Sequence, residues 1–362
     1  MSDSIESKTT LVDGPASSAA MSAANRLEVL VSALETVPEE LATKMGLECD
    51  AVMVNQTDHE SDRLFMVEDK NVKSAQNDLD VCCHMVHCIE MKERGVGLSR
   101  NTCIDNIDAD KKIVLFSDDD IRYGKGYAKK IIDEFEAHPE ADMILFNVNV
   151  CAERTTYHND GWKRVRIYNS GRYPAYSIAV RTQKLIESGV RFSLLFGGGA
   201  QFSCGEDSLF FRDCLKAGLK IFASPVLIAG EEVRTSTWFN GYNEKFFTDK
   251  GVLYYYMYGH MAGAAAGFYL SRHKDTWCKS IKEDDALKLF KKGIKIGREI
   301  KAGEATAKKT DISGETTAKK TDISGEATAK KTDISGEATA AQADIYKDRD
   351  KDDDNGRRED GV

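Results

Sequence analysis

The sequence predicts an α/β fold: a mixed but mostly parallel sheet flanked by helices, with a C-terminal helical segment and a disordered tail. Three observations carry this. Short apolar runs of strand length alternate with segments of helical periodicity, the pattern of strands joined by crossover helices. One such run leads straight into three aspartates, Asp118–Asp120, as when a strand delivers polar groups to the carboxyl edge of a sheet. Composition then changes near residue 301. Lys301–Val362 holds 12 basic and 15 acidic residues among 62, and its only bulky apolar side chains are Ile312, Ile323, Ile334, Ile345, Tyr346 and Val362. Such a segment cannot bury enough apolar surface to offset its chain entropy.

Residues 1–25, rich in Ser and Ala, read as a flexible N-terminal segment, 26–300 as one folded domain that turns helical from about 250, and 301–362 as a low-complexity tail. Within the domain, Leu27–Ser32 and Ala51–Asn55 are strand-length apolar runs. Thr36–Met45 between them has helical composition, with Pro38 near its start, where a missing N–H is tolerated. Cys82-Cys83-His84-x-x-His87-Cys88 has metal-ligating residue types, but no second paired cluster accompanies it and it runs into VHCIEM, so a buried strand is the reading adopted. Ile113–Phe116 and Met143–Val150 read as buried strands. Between them Ala128, Ile131, Ile132 and Phe135 fall at i, i+3, i+4 and i+7, one face of a helix.

Gly251–Leu270 is 20 residues without a formal charge, the length of a membrane span. Its Tyr, Gly and Ala content and His260 favour a packed helix over an interfacial or inserted one. In the tail, Gly303, Gly314, Gly325 and Gly336 recur every 11 residues. Without an apolar stripe, and with Thr, Ser and Gly disfavouring helix, the repeat reads as a solvated tail rather than a supercoil.

The chain carries 50 Lys+Arg against 59 Asp+Glu, a formal charge of −9, of which −4 falls on residues 26–300. An acidic core without a Lys/Arg-rich block argues against nucleic acid as a partner. Nine scattered cysteines suit free thiols in a reducing compartment. With no secretory signal visible, the expected localisation is cytoplasmic, with peripheral attachment at the inner face of a membrane and the oligomeric state left open.

Two acidic clusters carry the candidate chemistry. In KKIVLFSDDDIRY, an extended backbone would point Asp118 and Asp120 one way and Asp119 the other. Paired hard oxygen ligands suit a divalent cation that completes its shell with substrate phosphates, so Mg²⁺ or Mn²⁺ is the expected cofactor; a polar turn or helix cap is the structural alternative. The second cluster, Glu206–Asp207, follows Gly197–Gly199 and Gly205 and opens a helix with Phe210, Cys214 and Ala217 on its apolar face and Gly218 as its stop. The helix dipole should hold these carboxylates ionised, a state suited to accepting a proton.

GLSRN at Gly97–Asn101, the strand ending in SDDDIRY, GEDSLFFRDCLKAGLKIFASP at Gly205–Pro225 and STWFNGYNEKFF at Ser236–Phe247 together resemble the family-2 glycosyltransferases, in particular bacterial members that build surface polysaccharides. The resemblance spans roughly residues 27–275. It implies a Rossmann-like GT-A fold and inverting, metal-dependent transfer of a sugar from a nucleoside diphosphate to a saccharide or lipid-linked acceptor. It implies further that Asp118 and Asp120 hold the metal, with Asp118 nearer the ribose, that Asp207 is the base, and that Glu206 positions the acceptor. Ser32, Glu35, Asn55, Gln56 and Arg100 match positions where relatives contact base and ribose; Trp238 reads either as an aromatic face for the acceptor sugar or as a core residue. The rivals are a sugar-nucleotidyltransferase, which should carry a basic glycine-rich signature that LEVLVSALETVPEE lacks, and a non-catalytic saccharide-binding scaffold with an interacting acidic tail.

Overall fold

The computed structural model describes residues 23–68, 83–152, 155–232, 241–274 and 281–318. Trp238, Cys82 and the repeats beyond residue 318 lie outside the described residues. Among the described residues a ten-stranded sheet organises the fold, in the order β3-β4-β2-β1-β5-β9-β7-β10-β6, with β8 (Lys163–Arg164) pairing with β10.

The first half is a parallel unit. β1 (Leu27–Leu34) is followed by α1 (Pro38–Met45), with Pro38 at the helix start as expected, and by β2 (Ala51–Gln56). β3 (Ser61–Glu68) and β4 (Cys83–Met91) form an antiparallel pair at the sheet edge, and β4 lies parallel to β2. Along β4 the exposed Cys83 and Met85 alternate with the buried His84, Val86 and Cys88, the period-two pattern of a strand. After α2 (Val96–Asp105) the chain returns as β5 (Ile113–Asp118) on the other side of β1, also parallel. The sheet order therefore reverses between β1 and β5, which makes the carboxyl ends of these two strands the crevice where ligands of such sheets bind.

β1, β2 and β5 read as largely apolar runs because helices cover both faces of the sheet. Val29, Val31 and Ala33 pack with Leu41, Ala42 and Met45 of α1 and with Ala128, Ile131, Ile132 and Phe135 of α3 (Tyr127–Ala137). All four predicted face residues of α3 are buried, each contributing about 1.5–3 kcal/mol for the larger side chains. Leu30, Val52, Val54 and Phe116 point to the opposite layer, against Cys103 and Ile104 of α2 and Phe210, Phe211 and Cys214 of α5 (Glu206–Lys216). Ala217, expected on that apolar face, lies beyond the end of α5 and is not part of the buried core.

The second half is mixed. β7 (Met143–Asn149) and β10 (Ile221–Glu231) run parallel, whereas β9 (Ile178–Arg181), followed by α4 (Thr182–Ser188), is antiparallel between β5 and β7. β6 (Ile121–Tyr123) pairs antiparallel with β10.

Gly251–Leu270 forms two helices rather than one. α6 (Glu244–Tyr258) ends at Gly259, and α7 (Ala262–Arg272) follows a short 3₁₀ turn. Both pack, through Val252, Leu253, Ala266 and Leu270. Among the described residues no helix is long and apolar enough to cross a membrane. A Cβ on Gly251 would lie 2.4 Å from the Phe290 carbonyl oxygen, and one on Gly293 would lie 2.0 Å from that of Thr248. These two glycines therefore let α6 and α8 (Glu283–Ala318) touch backbone to backbone.

The helical segment also runs further than expected: α8 continues through the first repeat to Ala318 instead of giving way near residue 301. Extending an existing helix adds one hydrogen bond per residue fixed, and Ala, Lys and Glu supply enough propensity to carry it past Gly303. One compact unit extends to Gly303 and a second begins at Glu304.

Candidate active site

The two acidic clusters, far apart in sequence, meet at the sheet's carboxyl edge around one guanidinium. Asp118 ends β5 directly opposite Ser32 of β1. Arg100, on α2, donates from Nη2 to Asp118 Oδ1 at 2.9 Å and from Nη1 to Asp207 Oδ1 at 2.8 Å, with Glu206 Oε1 3.6 Å from Nη1. Asp207 sits in the first turn of α5, and its other oxygen accepts the Ala175 backbone N–H at 3.1 Å.

The first turn of α5 is fixed by a close approach. Gly197, at φ +108°, would place a Cβ 2.7 Å from Val96 and 2.8 Å from the Glu206 carboxyl carbon, so only glycine fits between α2 and that acid. Val96 N–H donates to the Gly198 carbonyl at 2.9 Å, tying the glycine loop to α2.

Arg100 is buried with 4% of its surface exposed, its guanidinium 5.2 Å from the centroid of the Phe192 ring. Burial opposes its charge, but Asp118, Asp207 and Glu206 outweigh that and hold it firmly protonated. Burial, helped by the neighbouring Glu206 and Asp118 and opposed by Arg100, pushes the Asp207 carboxyl up to about 7. The helix dipole, expected to keep this acid strongly ionised, is outweighed by desolvation.

The backbone turns at Asp119–Asp120 to enter β6, so these residues do not continue the extended geometry expected of them. Asp119 Oδ2 accepts the Leu34 N–H at 3.3 Å, binding the end of β1 to this turn. No three His, Cys, Asp or Glu side chains among the described residues come together as a cation cage. With one Asp118 oxygen on Arg100, the residues present fit a divalent cation that draws most of its shell from substrate oxygens, the manner in which Mg²⁺ and Mn²⁺ accompany diphosphates. They do not fit one held by protein alone.

The remaining predicted residues form a loop framework beside this centre. Ser32 Oγ donates to Ser99 Oγ at 2.6 Å. Asn55, 1% exposed, spends its side chain on the backbone and hydroxyl of Thr36 (2.9–3.2 Å) and on Glu90 Oε1 (3.2 Å). Gln56 accepts the Gly95 N–H at 2.6 Å, and Glu35, at φ +51°, pairs with Arg94 at 2.7 Å. Arg100 therefore lies between the acids rather than with Glu35, Asn55 and Gln56. Phe192 and Ala175 carry no signal in the sequence, whereas Ser99 stands beside Arg100 in GLSRN.

Residues 23–196 match the family model for glycosyl transferase family 2, and this part of the chain is a glycosyltransferase domain of that family. Among solved structures, the chain is similar to TarS residues 1–349 from S. aureus in complex with UDP-GlcNAc, at 16% identity and TM-score 0.46, covering 70% of this chain and 74% of that one. The structure of S. aureus TarS is similar at 18% identity and TM-score 0.43, with 44% of its chain covered. No curated protein matches the sequence.

Proposed function

We propose that this glycosyltransferase moves a sugar from a nucleoside diphosphate to a saccharide or lipid-linked acceptor with inversion, assisted by Mn²⁺ or Mg²⁺, in surface polysaccharide synthesis. The observation that carries the reading is the convergence of Asp118 and Glu206–Asp207 on Arg100 at the strand-order reversal. Asp118 and Asp120 face the donor diphosphate, and a divalent cation bound there would supply charge neutralisation for the departing group.

Asp207 takes the acceptor hydroxyl proton as the new C–O bond forms at the anomeric carbon and the bond to the diphosphate oxygen breaks, the electron pair leaving with the nucleoside diphosphate. A carboxyl whose pKa lies near 7 is well matched to that proton transfer. Glu206, 3.6 Å from the same guanidinium and wedged by Gly197, orients the acceptor.

A thermal-shift screen of UDP-, GDP-, CDP- and dTDP-sugars with MnCl₂ tests the donor reading, since a ligand that binds only the folded state raises its melting point. One donor should stabilise the wild type in the presence of Mn²⁺ and fail to do so in Asp120→Ala. Metal-independent binding that survives the substitution would remove the metal from the scheme. Asp207→Asn should still bind donor and transfer no sugar, and retention at the anomeric carbon of the product, read by NMR, would overturn inversion.

A further inference from the structure

Arg100 is a buried charge at the site to which the proposed transfer gives no duty, and it is held from several sides. Its α2 neighbour Asn101 clamps Phe192 by its backbone, accepting its N–H at 2.8 Å and donating to its carbonyl at 2.9 Å. Phe192 in turn stacks on Phe210 of α5 with ring centroids 4.0 Å apart. The guanidinium lies over that fixed ring, one Nη on Asp118 and the other on Asp207, while Nε is buried without a hydrogen-bond partner. The planar fork lets one cation reach both carboxylates at once.

We propose that Arg100 is a positioning residue that acts as the resident counter-cation of this centre, holding Asp118 until a divalent cation arrives together with a diphosphate and so keeping bare metal out. The proposal rests on the reading of Asp118 as a donor-side metal ligand. A bare cation must displace a charge-assisted hydrogen bond and then sit beside a guanidinium that Asp207 still holds in place, where like charges repel through a partly desolvated medium. A cation that comes with its diphosphate brings compensating negative charge and does not meet that repulsion. The guanidinium remains on Asp207 throughout, so the base stays oriented while the donor side fills. Metal and nucleotide then enter as one unit rather than in either order.

The test uses the full chain and Mn²⁺ alone, with free Mn²⁺ followed by electron paramagnetic resonance. Arg100→Gln should bind Mn²⁺ roughly tenfold more tightly than the wild type, because the carboxylates lose their internal cation. Arg100→Lys gives up the fork but keeps the positive charge that repels a bare cation, so it should stay within about threefold of the wild type. Adding Asp118→Asn to Arg100→Gln should abolish the gain.

An unchanged affinity in Arg100→Gln, a gain that survives Asp118→Asn, or an equal gain in Arg100→Lys would each overturn the proposal. Should Arg100→Gln fold poorly with its acids unbalanced, MnCl₂ should restore its melting transition; no restoration refutes the idea equally. A nucleotide sugar that stabilises the wild type only with Mn²⁺, and does not stabilise Asp118→Asn, keeps the donor reading while a null result here refutes the role of Arg100, so the two failures are separable.

Discussion

Replacing Asp207 with Asn removes the one carboxyl proposed to move a proton, and the structure sets the size of what should follow. Its pKa rises from an ordinary 3.8 to about 7 in the fold, with burial as the leading cause. A raised acid binds its proton more tightly when folded than when unfolded. Its contribution to stability is therefore fully present below pH 3.8 and is lost as pH climbs through 7. Between about pH 5 and pH 8 that loss comes to about 2–3 kcal/mol at roughly 1.36 kcal/mol per pKa unit.

The Asn variant cannot titrate, so the wild-type-minus-variant difference in urea unfolding free energy should move toward the variant by that amount over this interval. Sugar transfer by the wild type should fall about tenfold per pH unit below about 7, because the protonated acid cannot accept the acceptor's proton. Donor binding should persist in the variant at every pH. A stability difference flat within about 0.5 kcal/mol from about pH 5 to 8, or wild-type transfer undiminished at about pH 5.5, would refute the assignment.

Glu28, buried at the amino end of β1 and pushed up to about 7 chiefly by burial, follows the same sign: Glu28→Gln should gain about 2 kcal/mol on the wild type between about pH 5 and 8, with transfer unaffected because the site is at the strand's other end. Gly197→Ala forces a Cβ against Val96 and the Glu206 carboxyl at φ +108°, so it should cost about 1–3 kcal/mol in thermal unfolding and reduce transfer more than donor binding. Asn55→Ala strands the Thr36 and Glu90 partners and should cost about 2–3 kcal/mol by urea denaturation.

The strands read most directly in the sequence, as apolar runs, are those buried on both faces; β4, read as buried, alternates with solvent instead. Leu27–Leu34, Ala51–Gln56 and Ile113–Asp118 declare themselves as apolar runs because each alternate residue meets a different helical layer. β9, only four residues long, gives no periodic signal, and its antiparallel insertion between β5 and β7 is a long-range choice that local pattern does not encode. The break at Gly259 was hidden for a similar reason: a glycine inside an uncharged run can sit within a helix or end one, and packing decides between the two. The placement of Asp118, Glu206 and Asp207 at the ends of their elements was legible because a carboxylate after a strand or before a helix has a position fixed by that element.

The residues expected on the donor side were harder to read, and the reason is where their hydrogen bonds go. Asn55 and Gln56 stand at the carboxyl end of β2, the right place to meet a nucleotide, yet an amide is equally able to satisfy backbone groups of the loops that frame such a crevice. In this chain both side chains bind protein: Asn55 fixes the turn after β1 and Gln56 holds Gly95 ahead of α2. The first leads from Glu35 and the second into α2, which carries Arg100, so the amides brace the loops that frame the centre. Spacing alone cannot distinguish an amide that touches ligand from one that shapes the ligand's container. Arg100 is the sharper instance: GLSRN suggests a place beside a nucleotide, but only the fold brings Asp118 and Asp207 to opposite arms of its fork and makes it the link between two acids.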